Sequence, residues 1–254
     1  VRSPSSRPRP RAARAVAVAV AGTLVTAVSA WVAAVAGGPG PPSTAGLVVA
    51  PPIAVAEPLA PVAQVRTASG PSYAVSPTWA TVTAAASGIP GPAVRAYGTA
   101  TLRMARQDAA CHLAWTTLAG LGWVESEQGT IGGRVVGADG RSDRPIRGPA
   151  LDGGGDLAAI RTPDGRWVRA LGPLQFLPST WVRWGADGDG DGTADPQDLD
   201  DAAWSAARYL CASGGDLSTG AGWSGAVRSY NHSDAYVQAV YGAASAYAAR
   251  TAPR

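Results

Sequence analysis

From about residue 88 to residue 248, apolar residues recur at helical spacing in short blocks, each broken by glycine or proline. That pattern confines the folded part of the chain to a mainly α domain. Pro90 and Pro92 precede Ala93, Tyr97, Ala100, Thr101 and Met104, which share one helical face. A second helix is expected over 112–127, with Trp115, Leu118, Leu121 and Gly122 on a common side. A short third runs from Pro178 to Trp184 and stops at Gly185, and its Trp181 and Trp184 read as core. A fourth, over 200–212, carries Ala203, Trp204, Ala207, Leu210 and Cys211 on one stripe and ends at Gly214-Gly215. Two more are expected over 221–229 and 233–248. Residues 130–171, rich in glycine and aspartate, interrupt this series as a small irregular or β lobe. Pro163-Asp164-Gly165 marks a hairpin within it.

The region before residue 87 has a different character. Arg2, Arg7, Arg9, Arg11 and Arg14 precede an uncharged apolar run at 15–36. A basic stretch followed by about 20 apolar residues describes a secretory signal or a signal anchor. We therefore expect residues 1–36 to export the chain, and to hold it at a membrane if uncleaved. Residues 37–86, rich in proline and alanine, read as a linker, and 87–250 as the catalytic domain. The 16 arginines beyond the first five face 18 acids, so the body has no basic excess and a nucleic-acid partner is not expected. Export also suits Cys111 and Cys211, the only cysteines, which we expect to pair.

Chemistry concentrates on Glu125, in the run WVESEQG. It shares a helical face with Leu121 and Gly122, one turn below. Gly122 removes bulk under the carboxyl group, and Gly129 is the expected helix stop. Partial desolvation and the negative helix end both disfavour a carboxylate, so the pKa should rise towards the working range of a general acid. Glycosidases ordinarily use two carboxyl groups. Glu127 lies about 200° around the helix and faces away. Asp139, Asp143 and Asp156 fall in the lobe without an evident role.

Residues 187–198, DGDGDGTADPQD, match the template of a calcium-binding loop. Asp187, Asp189, Asp191, Thr193, Asp195 and Asp198 occupy the ligand positions, with Gly192 at the tight turn. A structural Ca²⁺ is expected, in an EF-hand-like frame between the third and fourth helices. No organic cofactor is implied. Zinc has no support, since His112 and His232 are the only histidines and neither HExxH nor CxxC occurs.

WVESEQG, GPLQFLPSTW (172–181), DAAWSAARYL (201–210) and SYNHSDAY (229–236), taken together, resemble the lytic murein transglycosylases of the membrane-bound B type, in a form typical of high-GC Gram-positive bacteria. The resemblance implies a lysozyme-like α domain acting on peptidoglycan glycan strands, as a monomer outside the cytoplasm. It implies cleavage of the β-1,4 bond between N-acetylmuramic acid and N-acetylglucosamine without water, leaving a 1,6-anhydro end. Glu125 would then be the single acid/base, with Gln175, Tyr209, Tyr230, Asn231 and Tyr236 binding the sugars. The chain departs from the resemblance at Glu127-Gln128, where Gly-His or a similar pair is expected. A lysozyme-type hydrolase using water and a non-catalytic, calcium-stabilised wall-binding module are the competing readings.

Overall fold

The computed structural model describes residues 61–67, 70–154 and 159–252. The expected signal or anchor, most of the expected linker, and Asp156 lie outside these residues. Among the described residues no helix is long and apolar enough to cross a membrane.

An antiparallel hairpin, β1 (Pro61–Thr67) and β2 (Gly70–Val75), precedes seven helices. They are α1 (Pro77–Ser87), α2 (Gly91–Gln107), α3 (Trp115–Ser126), α4 (Pro178–Trp184), α5 (Leu199–Gly214), α6 (Gly220–Tyr230) and α7 (Asp234–Thr251). Local chemistry sets their ends. The Ser76 hydroxyl accepts from the Trp79 N–H and Pro77 opens α1, which stops at left-handed Gly88. Asp198, Thr219 and Ser233 cap α5, α6 and α7 in the same way. The boundary expected at residue 87 is thus too late. The stretch before it, assigned to linker, already holds the hairpin from Pro61 and then α1, because Ser76-Pro77 and Gly88 bracket an alanine-rich run that forms a helix without a marked apolar stripe.

α3 sits at the centre. Every residue from Trp115 to Gly122 is buried. It packs along α7, while α2 packs along α5. Tyr97, Met104, Leu118, Leu121, Leu210, Trp223, Val227 and Val240 fill the space between them. At Gly98 a side chain would strike Val75 and Trp79, so β2 and α1 approach α2 closely there. Cys111, in the turn Ala109–Cys111, is bonded to Cys211 of α5, 100 positions further along the chain. The Leu217 N–H donates to the Cys111 carbonyl at 2.8 Å beside this link. The expected pairing is therefore present. Closing a loop of that length contributes about 4–5 kcal/mol in the chain-entropy account.

The lobe between α3 and α4 is built of short bridges, among them Arg147 with Leu171, Asp152 with Ala159, and Arg161 with Trp167. The expected hairpin is present, with the Gly165 N–H bonded to the Thr162 carbonyl and Gly165 at φ 83°.

Candidate active site

α3 delivers Glu125 in its last turn, and the chain then turns sharply. The helix ends at Ser126, earlier than the stop expected at Gly129, and Glu127, Gln128 and Gly129 all have positive φ, at 53°, 66° and 87°. Left-handed backbone is unusual for the first two, and side-chain bonds hold it there. The buried Gln128 amide accepts from the Tyr97 hydroxyl at 2.7 Å, donates to the Ala119 carbonyl at 2.8 Å and to the Tyr247 hydroxyl at 3.1 Å. The Ser126 hydroxyl donates to the Pro173 carbonyl at 2.6 Å and accepts from the Gly129 N–H at 2.8 Å. The acid's helix end is thereby tied to α2, to α7 and to the GPLQF segment. Gly122 has a different task from the one expected. A Cβ there would overlap the Tyr97 hydroxyl and crowd the Gln128 amide oxygen, so the glycine makes room for this node.

Glu125 itself is half-buried. Its Oε1 accepts a 2.5 Å hydrogen bond from the Tyr236 hydroxyl, at the start of α7. Burial raises its pKa to about 7, against the opposing effect of that bond. Among the described residues no carboxylate adds to this shift. Burial together with the negative charge of Glu125 keeps the Tyr230 and Tyr236 phenols well above their ordinary range, so both remain donors. Asp139 accepts from the Arg141 N–H at 3.2 Å and Asp143 pairs with Arg144 at 3.6 Å.

Around Glu125 the aromatic rings form a connected ladder. Trp181 meets Phe176 edge-on with centroids 5.1 Å apart, Phe176 meets Tyr230 at 5.8 Å, Tyr230 meets Tyr209 at 5.6 Å, and Tyr209 meets Trp184 at 5.6 Å. Trp181 and Trp184, expected as core, are half-buried, and Trp181 packs against the core, although α4 has no fully buried residue. The Tyr230 hydroxyl donates to the Leu174 carbonyl at 2.7 Å, and the Tyr209 hydroxyl to the Ser229 carbonyl at 2.7 Å. These bonds leave the half-buried ring faces as the available surface. Gln175, next to Leu174, has φ 49° and donates to the Gly172 carbonyl at 2.7 Å. Its amide oxygen lies against Gly148, where a Cβ would collide with it. Asn231 closes α6 and is exposed. Glu125, Tyr236, Tyr230 and Tyr209 are thus brought together, with Gln175 beside them and Asn231 at the margin. Sequence reasoning missed Ser126, Gln128 and Phe176. Three successive polar residues ahead of a glycine were the signal, and only packing shows which way each one turns.

The acidic loop closes differently from its template. Oxygens of Asp187, Asp189 and Asp201 lie within 4.8 Å of one another. Asp201, three residues beyond the expected end, belongs to this cluster, and Asp198 does not. Asp198 instead caps α5 and meets Arg141 at 3.4 Å, while Asp195 is ion-paired with Arg141. Asp191 accepts from the Thr193 N–H at 2.7 Å, and both are exposed. Burial and neighbouring acids raise the pKa of Asp201 to about 7, although it accepts from the Gly188 and Asp195 N–H groups. Asp189 is raised by the same effects. A cluster of oxygen donors that resists its own ionisation fits a hard divalent cation.

The profile of the Transglycosylase SLT domain family matches residues 155–229, which hold Gln175, the acidic loop and Tyr209 but not Glu125. The solved Slt35 lytic transglycosylase of Escherichia coli, in complex with bulgecin A, aligns over 68% of this chain and 79% of its own, with 15% identity and a TM-score of 0.41. No curated protein matches the chain. Over residues 155–229, then, the chain is similar to the transglycosylase SLT domain.

Proposed function

We propose that the chain cleaves the β-1,4 bond between N-acetylmuramic acid and N-acetylglucosamine in peptidoglycan, with Glu125 as its single acid/base. The observation that carries this reading is a half-buried carboxyl group with a pKa of about 7, hydrogen-bonded to Tyr236 beside a ladder of rings. Protonated Glu125 donates to the leaving glycosidic oxygen as the bond to C1 breaks. The resulting carboxylate then takes the proton of the muramic C6 hydroxyl as that oxygen closes onto C1. The product is a 1,6-anhydro ring, no water is consumed, and Glu125 ends protonated again. A single acid suffices for this sequence of steps.

Tyr236, bonded to Oε1, orients the carboxyl group and leaves its second oxygen for the substrate. Ring faces of Tyr209 and Tyr230 stack on pyranose carbons, while Gln175 and Asn231 meet hydroxyl and acetamido groups. A calcium ion held by Asp187, Asp189 and Asp201 would neutralise three converging acids and fix the start of α5, which carries Tyr209. Residues 1–36 would deliver the domain to the cell wall, secreted or membrane-anchored.

Digestion of purified sacculi followed by mass spectrometry tests the reaction. Anhydro-muramic ends are expected. Reducing ends would replace this reading with that of a water-using hydrolase. Glu125→Gln should lower turnover by about 10²–10⁴-fold. Undiminished lysis would remove Glu125 as the acid.

A further inference from the structure

One side of the lobe carries three arginines that form no ion pair among the described residues. Arg147 pairs with Leu171, and Arg161 with Trp167, across the central segment 167–171. Arg169 lies midway along that segment. The two-residue period of extended chain therefore places Arg147, Arg161, Trp167 and Arg169 on one side. Burial follows the same alternation, with Ile146, Gly148 and Val168 inside and the three arginines exposed. Diagonal neighbours on such a surface lie about 7–8 Å apart, within reach of long side chains.

These arginines are little used by the protein itself. Arg161 lies 3.7 Å over the Trp167 ring and donates to the Gly165 carbonyl at 2.6 Å. Arg169 donates to the Gly148 carbonyl at 2.8 Å. Arg147 makes no hydrogen bond or ion pair among the described residues. Of the nearby acids, Asp164 pairs with Arg166 and Asp143 with Arg144, while Asp152, which bridges Ala159 on the same side as Arg161, accepts from the Gly154 N–H at 3.0 Å. The body of the chain has a slight acidic excess, so this basic surface is local. It also adjoins the cleft: Leu171 pairs with Phe176 of the aromatic ladder, and Gly148, next to Arg147, touches the Gln175 amide.

We propose that this surface binds the free carboxylates of the stem peptide on muramic acid, so that the enzyme prefers peptide-bearing glycan to naked strands. The inference rests on the peptidoglycan reading above. The peptide leaves the muramic ring at its lactyl ether, close to the bond under attack, so a cleft holding that ring must have the peptide running beside it. A guanidinium fork matches a carboxylate in a bidentate pair, and Trp167 with its stacked Arg161 offers an apolar base for the peptide chain. An exposed pair of this kind contributes little singly and is screened by salt, so the three arginines act together.

The test uses a catalytically silent Glu125→Gln background, in which binding is read without cleavage. Co-sedimentation is measured with intact sacculi and with sacculi stripped of peptides by an amidase. Replacing Arg147, Arg161 and Arg169 together by glutamine should weaken binding to intact sacculi roughly tenfold and to stripped sacculi less than twofold. Arg147→Gln alone, which breaks no internal bond, should give a smaller loss of the same selectivity, and Arg147→Lys should restore part of it. High salt should erase the difference. Equal losses on both substrates, or none on either, overturn the proposal. Competition by a soluble glycerol-phosphate polymer but not by free stem peptide also overturns it, in favour of a phosphodiester wall polymer. An enzyme with Glu125 intact that binds with this selectivity yet cuts neither substrate would defeat the proposed reaction and leave the binding surface standing.

Discussion

Glu125 combines two opposed influences. Burial raises its pKa, and the Tyr236 hydroxyl, which bonds the charged form better, lowers it. The balance near 7 leaves a substantial protonated fraction at neutral pH, as an acid that must afterwards act as a base requires. Turnover should therefore fall as pH rises through about 7, where the proton to be donated is lost. Tyr236→Phe removes the lowering influence, so the basic limb of the pH–rate profile should move to higher pH. The maximal rate should fall, because the carboxyl group loses its orientation. A profile that keeps its limb in place would separate Tyr236 from the titration of Glu125. The residue was legible in the sequence because an apolar helix ends on it, but its hydrogen-bond partner, 111 positions away, was suggested only by the resemblance.

The end of α3 shows how an element positions a reacting group. The backbone after Glu125 is left-handed at two non-glycine residues, and Gln128 fixes it by bonding Tyr97 on α2, Ala119 on α3 and Tyr247 on α7. Gln128→Leu would leave the Tyr97 hydroxyl and the Ala119 carbonyl buried without this partner. Thermal or urea denaturation should show a loss of about 2–3 kcal/mol, and kcat should fall more than KM rises. Unchanged stability would mean that the turn is held by Ser126 alone. Helix positions were readable from apolar periodicity, and those from α2 onward agree with the structure to within a few residues. The lobe was not, because its bridges are short and their pairing depends on distant segments, such as the double contact between Gln197 and the Ile146 backbone at 2.8 and 2.9 Å.

At the scale of the molecule, the acidic loop and the lobe are joined. Arg141 reaches Asp195 and Asp198, Arg95 bridges the Ala138 carbonyl and Asp200, and Arg103 donates to the Asp187 carbonyl at 3.2 Å. A cation bound at Asp187, Asp189 and Asp201 would stabilise both regions at once. Millimolar calcium should raise the unfolding midpoint and chelation should lower it, with about 2.7 kcal/mol expected at a hundredfold excess over Kd. Asp201→Asn should abolish this response, whereas Asp191→Asn should leave most of it. A calcium effect that survives Asp201→Asn would place the ion elsewhere. The chain by itself determined the helices from α2 onward, a carboxyl group ending an apolar helix, the cysteine pair and the presence of an oxygen-rich loop, because each depends on residue type and spacing along a short stretch. Tertiary structure alone decided that Asp201 closes that loop and that Gln128 turns inward to hold the acid's helix. It also decided that α4 stays only partly buried, with its two tryptophans in the ladder. Those outcomes depend on which distant segments pack together, and local spacing carries no record of that.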